Sequence, residues 1–266
     1  MKRSIAVAGA LIGATLFQAC DGYDRPTTAP HASAAVSATA LDPRGVKRVI
    51  TGAKEIEPAV DAFRALVGEP LNAGATGPQP GGRRQINWDG VPDPNNNTDA
   101  FPPDFFKRQG AIFSTPGFGF RNSDKDFSDV NPTYAVDFDA FSAPKTFSPR
   151  GSNVMDVTFR LAGTDTPGLV NGFGAVFVDP DLAFTSSLRF FDKNGNQLAI
   201  VHAPIRRNPD EYTFAGVAFN GSVVARIRIT LGNAPIDAAT NDRSSGGTKD
   251  VVVLDDFVYG EPQPVK

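Results

Sequence analysis

The sequence predicts an all-β protein, an antiparallel β-sandwich of jelly-roll-like type with one short N-terminal helix. Short β-type runs separated by turn residues fill the chain from Gly110 onward. Two Asn-Gly pairs, at 194–195 and 220–221, stand between apolar runs and favour hairpins. The chain has 21 Phe but only 4 Tyr and 1 Trp. Phe has no polar group that must reach water, so most of these rings are expected to fill the space between two sheets.

Residues 1–19 are predicted to be a signal peptide of the lipoprotein type. Lys2 and Arg3 precede a run of apolar, Gly and Thr residues at 5–17, which is the order found in secretory signals and is too short to span a bilayer. The lone cysteine, Cys20, follows and resembles the site at which bacterial lipoproteins are cleaved and lipidated. The sequence therefore predicts lipidation at Cys20 and a membrane-anchored lipoprotein of the bacterial cell envelope, on the periplasmic or the cell-surface side.

The next segments predict a tether, a helix and a loop. Residues 20–50 are rich in Ala, Ser, Thr, Pro and Asp, which favours a flexible tether. Apolar residues then recur with a helical period near residues 55–67. A Gly-, Pro- and Asn-rich passage follows and is expected to wrap the body, so that helix and wrapping loop occupy 51–104. The β-sandwich occupies 105–262, and because no linker interrupts the body, 51–262 are predicted to form one domain.

Ten strands are predicted in the body. Each run is enriched in β-branched and aromatic residues, which pack well on a pleated surface. Many short strands with turn residues between them fit two packed antiparallel sheets better than a parallel α/β fold. The predicted strands lie near residues 111–114, 118–121, 134–138, 154–161, 173–178, 186–192, 197–202, 212–218, 223–231 and 250–259.

Composition removes several classes of function. The net charge of -3 becomes -5 for residues 20–266, which argues against a nucleic-acid partner. One Cys and two His exclude a disulfide scaffold and leave few transition-metal sites. His202 is the sole histidine of the body and no Gly-x-Ser-x-Gly motif is present, so a serine triad is not expected. The chain is predicted not to be an enzyme, although its 29 acidic residues keep a glycosidase open.

Aspartate supplies the predicted metal ligands. The chain has 24 Asp and 5 Glu; Asp forms turns, and it is also a hard oxygen ligand suited to calcium loops. Asp179, Asp181, Asp255 and Asp256 are the predicted ligands of a structural Ca²⁺. The last two interrupt the apolar terminal strand, so their carboxylates are expected on opposite faces, one of them toward the core. A bare buried carboxylate would cost several kcal/mol, and its expected partner is either calcium or the arginine pair at 83–84.

Segments of the body resemble a known kind of secreted protein. Residues 83–90, 172–179, 190–192 and 253–261 look like uncharacterised secreted bacterial proteins that are similar to jelly-roll modules of the carbohydrate-binding, MAM or galactose-binding-like type. In those modules the terminal strand ends in a hydrophobic-Asp-Asp-hydrophobic pattern. The resemblance extends over residues 60–262. It implies a binding or adhesion module, often with calcium that steadies loops near the terminal strand.

A polysaccharide is the leading predicted ligand class. Glycan-binding surfaces stack sugars on exposed aromatic rings, and Trp88 in its Gly/Pro/Asn-rich loop is the best candidate, although a Trp that plugs the end of the sandwich fits the same sequence. Arg83, Arg84 and Tyr212 complete the predicted ligand-binding set. The competing interpretation is a structural or adhesion protein that binds another protein. In either case contact with a membrane is expected only through the lipid anchor.

Overall fold

The computed structural model describes residues 35–37, 45–208 and 211–265. The predicted signal peptide and Cys20 lie outside these ranges. The described residues fall within one compact unit, residues 32–266. In this part of the chain no helix combines the length and the hydropathy of a membrane span.

One α-helix, fifteen strands and three 3-10 turns form the described part of the protein. The helix is α1 (Glu57–Val67), and the turns are Asp93–Asn95, Lys107–Gln109 and Pro132–Val136. The strands are β1 (Ala35–Ser37), β2 (Val46–Lys54), β3 (Arg83–Ile86), β4 (Ala111–Ser114), β5 (Gly119–Ser123), β6 (Thr146–Arg150), β7 (Val154–Phe159), β8 (Gly168–Leu169), β9 (Gly172–Val178), β10 (Ser187–Phe191), β11 (Gln197–His202), β12 (Tyr212–Phe219), β13 (Arg226–Thr230), β14 (Val253–Gly260) and β15 (Gln263–Pro264).

The strands form two main antiparallel sheets. The larger sheet has the order β1-β2-β12-β9-β14-β6-β5, and β3 also pairs with β14. The smaller sheet has the order β11-β10-β13-β7-β4, and β15 pairs with β8 in a separate ribbon. Side chains of both main sheets share one buried core. The prediction of an all-β, antiparallel sandwich is confirmed.

Phenylalanine fills much of the space between the sheets. Phe173 and Phe257 come from the larger sheet and Phe113 and Phe190 from the smaller one, and each is at most 2% exposed. The rings of Phe173 and Phe257 lie 5.1 Å apart and those of Phe113 and Phe257 6.2 Å apart, with steep interplanar angles. Burial of each such side chain contributes about 1.5–3 kcal/mol, so this cluster is a main source of the fold's stability.

The helix covers the outer face of the larger sheet. Its bounds agree with the predicted 55–67 to within two residues, and Pro58 stands in its first turn, where a missing N–H costs nothing. Phe63 points at two facing glycines, Gly174 and Gly216, which pair across β9 and β12. A methyl group at Gly216 would lie 2.8 Å from the Phe63 ring. Glycine is therefore required there for the helix to approach the sheet.

Three element predictions are wrong. The predicted tether ends at residue 50, but β2 begins at Val46 and pairs with β12 along its length. The wrapping loop contains β3, which pairs with the terminal strand. Residues 134–138 were predicted to form a strand, and most of them lie in a 3-10 turn. For β2 and β3, pairing with strands distant in sequence overrides the local pattern. Residues 134–136 have the local pattern of a strand but lie in the 3-10 turn.

The two Asn-Gly pairs have different outcomes. The turn around 194–195 joins β10 and β11, which pair in one antiparallel hairpin, and Gly195 has the positive φ of 83° that this turn needs. The turn at 220–221 joins β12 to β13, and these strands lie in different sheets. The predicted second hairpin is wrong because the chain crosses between the two sheets there.

Candidate metal centre

Five aspartates meet at one end of the sandwich, and we call them the acidic cluster. Asp179 directly follows β9, and Asp181 lies two residues further along. Asp242 and Asp250 belong to the chain between β13 and β14. Asp137 caps the C-terminal end of the 3-10 turn that ends at residue 136. The ends of separate elements thus supply the members of the cluster.

The carboxylates of the acidic cluster converge. Ligand oxygens of Asp137, Asp179 and Asp242 all lie within 4.8 Å of one another, and so do those of Asp181, Asp242 and Asp250. Asp242 belongs to both triads. Four of the five residues are buried, and Asp179, Asp242 and Asp250 have no exposed surface at all. Ionised carboxylates at such separations repel each other strongly unless a cation lies between them.

Arg206 is the one basic side chain that forms ion pairs with the cluster among the residues the structure describes. It pairs with Asp179 at close range and with Asp181 at 3.3 Å. The Ser244 hydroxyl donates to Asp179 at 3.1 Å or to Asp181 at 2.9 Å. The second oxygen of Asp179, Oδ2, is buried and accepts no hydrogen bond from the described residues. A buried carboxylate oxygen normally has a partner, and a bound cation would supply one for Asp179 Oδ2.

Burial determines the protonation of the cluster. It raises the pKa of Asp179 to about 10, and the charge of Asp242 acts in the same direction against the opposing effect of Arg206. Burial is also the largest cause of the raised pKa of Asp137, Asp242 and Asp250. The raised pKa values favour the protonated, neutral form of these carboxyl groups when no cation is bound. A bound divalent cation would replace those protons.

Backbone donors hold the cluster's loops in place. Asp242 accepts hydrogen bonds from the Val251 amide at 2.7 Å and the Ser244 amide at 2.6 Å. Asp250 accepts from the Asp181 amide at 2.8 Å, which links the segment after β9 to the segment before β14. The donor set consists of carboxylate and hydroxyl oxygens. This chemistry suits a hard cation and does not suit zinc, which prefers nitrogen and sulfur.

The structure divides the four predicted metal ligands between two places. Asp179 and Asp181 lie in the acidic cluster, whereas Asp255 and Asp256 lie together elsewhere on β14. Sequence reasoning missed the remaining three members of the cluster. Those members are Asp137, Asp242 and Asp250.

The terminal pair does not occupy opposite faces, and that expectation is wrong. The register of β14 shifts between Leu254 and Phe257, which is a β-bulge. Both carboxylates consequently reach the same hydroxyl, that of Ser142, which lies 3.0 Å from Asp255 and 2.8 Å from Asp256. The amides of residues 141 and 142 also donate to Asp255, at 2.7 and 3.1 Å.

The expected arginine partners of the terminal pair are wrong as well. Arg83 pairs with Glu69, and Arg84 pairs with Glu261. Asp256 instead accepts a hydrogen bond from Gln85 at 3.0 Å and lies 3.9 Å from the guanidinium of Arg64.

Trp88 is not an exposed platform. It is 1% exposed and stacks on Phe147, with the ring centroids 3.9 Å apart and the planes at 6°. Its indole N–H donates to the Asp255 carbonyl at 2.9 Å. The expectation of an exposed stacking ring is wrong, because the Trp88 ring is buried in the core between the sheets. Tyr212 is half-buried and donates to the Ala140 carbonyl at 3.1 Å.

The predicted ligand-binding set therefore does not form one exposed surface. The Arg84 side chain is fully buried and that of Arg83 is 11% exposed. Arg83 pairs with Glu69 and Arg84 pairs with Glu261, both of them residues of the same chain. Both arginines therefore tie loops to the sheet.

Comparison with known proteins adds little to this description. No family model matches the chain, and no curated protein matches it. Among solved structures the chain is similar to the enzymatically active domain of tailspike protein 4 of bacteriophage CBA120, with 15% sequence identity and a TM-score of 0.29. The match covers 64% of this chain and 22% of that chain, so this chain spans under a quarter of the tailspike domain's length. A likeness this weak carries no argument. What the fold and the site define is a class, an antiparallel β-sandwich with a buried acidic cluster.

Proposed function

We propose that this protein is an exported binding module whose β-sandwich is stabilised by calcium at the acidic cluster and whose ligand is a polysaccharide. One observation carries the calcium part of the proposal. Among the described residues, the carboxylates of the cluster converge around a single ion-paired arginine, Arg206, and a buried oxygen of Asp179 has no donor. Burying this many carboxylates without further cations would cost several kcal/mol.

Calcium is favoured over other hard cations by the shape of the donor set. Ca²⁺ accepts six to eight oxygen ligands in flexible geometry, whereas Mg²⁺ demands a near-ideal octahedron and keeps several waters. The cluster offers many carboxylate oxygens from separate loops inside a buried space. An ion bound there would tie the chain after β9 to the chain before β14, and it would thereby fix one end of the sandwich.

Thermal unfolding in EDTA and in millimolar calcium tests the calcium part of the proposal. At a free calcium concentration of about 100 times the dissociation constant, binding to the native state adds about 2.7 kcal/mol, which is a rise of several degrees in Tm for a chain of this size. Asp242→Asn is expected to abolish the rise, because Asp242 belongs to both triads. In EDTA the same variant is expected to unfold below the wild-type temperature, because an Asn side chain can keep only one of the two backbone hydrogen bonds that the Asp242 oxygens accept from Val251 and Ser244.

Asp165→Asn is the matched control, since the Asp165 side chain is 91% exposed and pairs only with Lys107 among the described residues. It should keep the full calcium-dependent rise. If Asp242→Asn does not fold, Asp179→Asn replaces it. A wild-type protein with equal Tm in EDTA and calcium, or an Asp242→Asn protein with the wild-type rise, would contradict the calcium proposal.

A specific observation favours the alternative, a protein that binds another protein. Phe184 is 78% exposed and its ring meets that of His202 at a centroid distance of 5.2 Å. Ile200 lies on the same face of β11 as His202 and is 39% exposed. This edge of the smaller sheet thus presents apolar side chains to solvent, as protein-binding surfaces do.

Retention on glycans separates the two functions. A polysaccharide-binding module is retained on insoluble glycans and releases no reducing ends from them. A protein-binding module binds a protein partner saturably, and added glycan does not change that binding. Release of reducing ends would overturn the proposal of binding without catalysis and would identify a glycosidase.

The proposed location depends on Cys20, which lies outside the described residues. We expect a lipid on its thiol to hold the module at the membrane, with the segment after it as spacer. Metabolic labelling with a fatty acid should mark the wild-type protein in bacterial cells, and Cys20→Ser should remove both the label and the membrane association. A Cys20→Ser protein that still carries label would contradict the anchor.

A further inference from the structure

Phe118 is an exposed aromatic residue that belongs to none of the hydrophobic cores of the described chain. It lies in the turn between β4 and β5 and is 69% exposed, whereas most phenylalanines of the described chain lie in the cores. Leaving such a ring in water gives up a burial gain of about 1.5–3 kcal/mol. A single exposed ring is common on protein surfaces, so the groups around Phe118 decide whether it marks a binding site.

The turn holds this ring in a fixed position. The Phe118 amide donates to the Arg150 carbonyl at 2.9 Å, and the Arg150 guanidinium carbon lies 5.8 Å from the ring centroid. A methyl group added at Gly151 would lie 2.5 Å from the ring, and one added at Gly119 would lie 2.2 Å from the Asp99 carbonyl oxygen. The ring therefore rests on the backbone at Gly151, and the close packing around it makes a preorganised platform.

A groove of about 420 Å³ lies beside the ring and carries polar groups. Asp99 and the exposed Ser114 line it. The Asp99 Oδ1 atom accepts hydrogen bonds from Arg121 and Arg150, each at 3.0 Å. The hydrogen bonds that the described residues make to Asp99 all reach Oδ1, and its side chain is 38% exposed. Oδ2 thus remains for a ligand.

The charges around the groove are balanced. Asp99 faces two guanidinium groups, and one of them, that of Arg121, also pairs with Asp129 at close range. Neither an anionic nor a cationic ligand gains from a site in which the fixed charges already pair. The platform and the hydrogen-bonding groups therefore favour a neutral ligand with one apolar face and several hydroxyl groups.

We propose that Phe118 and Asp99 form a subsite for a neutral hexose residue of a polysaccharide. The C–H face of the sugar packs on the Phe118 ring, and a hydroxyl group donates to Asp99 Oδ2 while Ser114 contacts a second one. This inference rests on the proposed polysaccharide-binding function and gives it a location.

A second groove, of about 620 Å³, fits a sugar less well. Its lining includes the aliphatic residues Leu169, Leu198 and Val223 and the hairpin residues Asp192 and Asn194. None of its lining residues is aromatic, so it offers no ring on which a pyranose could stack.

Affinity electrophoresis of the purified protein tests the subsite. Native gels contain a soluble neutral polysaccharide (galactomannan, xyloglucan, mixed-linkage β-glucan or dextran) or the anionic polygalacturonate. We expect a neutral polysaccharide to retard the wild-type protein and Phe118→Ala to weaken the affinity about tenfold or more. Phe118→Trp is expected to bind at least as tightly as wild type, because the larger ring offers more stacking area. Val136→Ala, which trims another exposed apolar side chain (75% exposed) outside the groove, serves as the control and should behave as wild type.

The outcomes are distinguishable. Retardation of the wild type with equal retardation of Phe118→Ala would overturn the subsite and leave the polysaccharide function standing. Retardation by polygalacturonate alone would overturn the neutral ligand class. Absence of retardation in every gel would overturn both the subsite and the polysaccharide function. Equal Tm values for wild type and Phe118→Ala exclude a folding defect, since the side chain is exposed.

Discussion

Arg84→Met is expected to lower the free energy of unfolding by about 3–5 kcal/mol, because it leaves the Glu261 carboxylate buried without its counter-charge. Both side chains have no exposed surface. The Arg84 guanidinium donates to the two Glu261 oxygens at 2.5 and 3.0 Å. Urea unfolding at neutral pH measures the loss.

The loss is expected to be large because Arg84 uses all of its donors. Its remaining three N–H groups donate to the carbonyls of Asn72, Ala75 and Gly77 at 2.8 to 3.0 Å. These carbonyls belong to the loop between α1 and β3, and Glu261 directly follows β14. The Arg84 side chain therefore ties the loop to the end of the terminal strand, and its removal leaves several buried acceptors unsatisfied.

Arg83→Met is the matched control at the adjacent position. Arg83 pairs with Glu69, whose side chain is 65% exposed, and an ion pair with an exposed member contributes at most about 1 kcal/mol. The double variant Arg84→Met, Glu261→Gln should lose less than Arg84→Met alone, because no unpaired charge stays buried. Equal losses for Arg84→Met and Arg83→Met would refute the assignment of a stabilising role to the buried pair.

Local patterns predicted the elements whose signal is local. The helical period at 55–67 and the Asn-Gly turn at 194–195 need only neighbouring residues to be recognised, and both predictions are confirmed. The strand β6 was missed because it contains Pro149, and proline is rare inside a sheet. The turn at 220–221 has the same local sequence signal as a hairpin, yet it joins two sheets. Which sheet a strand joins is decided by long-range packing.

The acidic cluster was only partly predictable for the same reason. Asp179 and Asp181 are neighbours in sequence, and their pairing after an apolar strand is a visible signal. Asp137, Asp242 and Asp250 lie in separate loops, and the fold alone brings them to the same place. The composition of the loop around Trp88 indicated that this ring is exposed. The ring instead stacks on Phe147, and its burial there stabilises the fold although the surrounding loop is polar.

The free energy of unfolding is expected to fall as pH rises through the neutral range, because the buried carboxyl groups of Asp255 and Asp179 both have raised pKa values. Burial, followed by the neighbouring charge of Asp256, raises the pKa of Asp255 to about 8. The unfolded chain releases this proton near the ordinary value of 3.8, whereas the folded chain retains it. The unfolded state therefore binds fewer protons between those two values, and stability is lost as pH increases across them.

Asp255→Asn removes this titration. The groups facing Asp255 are Asp256, the Phe141 amide and the amide and hydroxyl of Ser142. Gln85 and Arg64 contact Asp256. A carboxamide cannot ionise, so the variant should lose less stability than wild type between about pH 5 and about pH 8, by roughly 2–4 kcal/mol. At the alkaline end it should be the more stable protein.

Urea unfolding across this range, in EDTA, measures both profiles. Asp61→Asn is the control, since the Asp61 side chain is 68% exposed and pairs with Arg64 on the helix surface; its profile should run parallel to that of wild type. Parallel profiles for wild type and Asp255→Asn would show that Asp255 ionises at its ordinary pKa despite its burial.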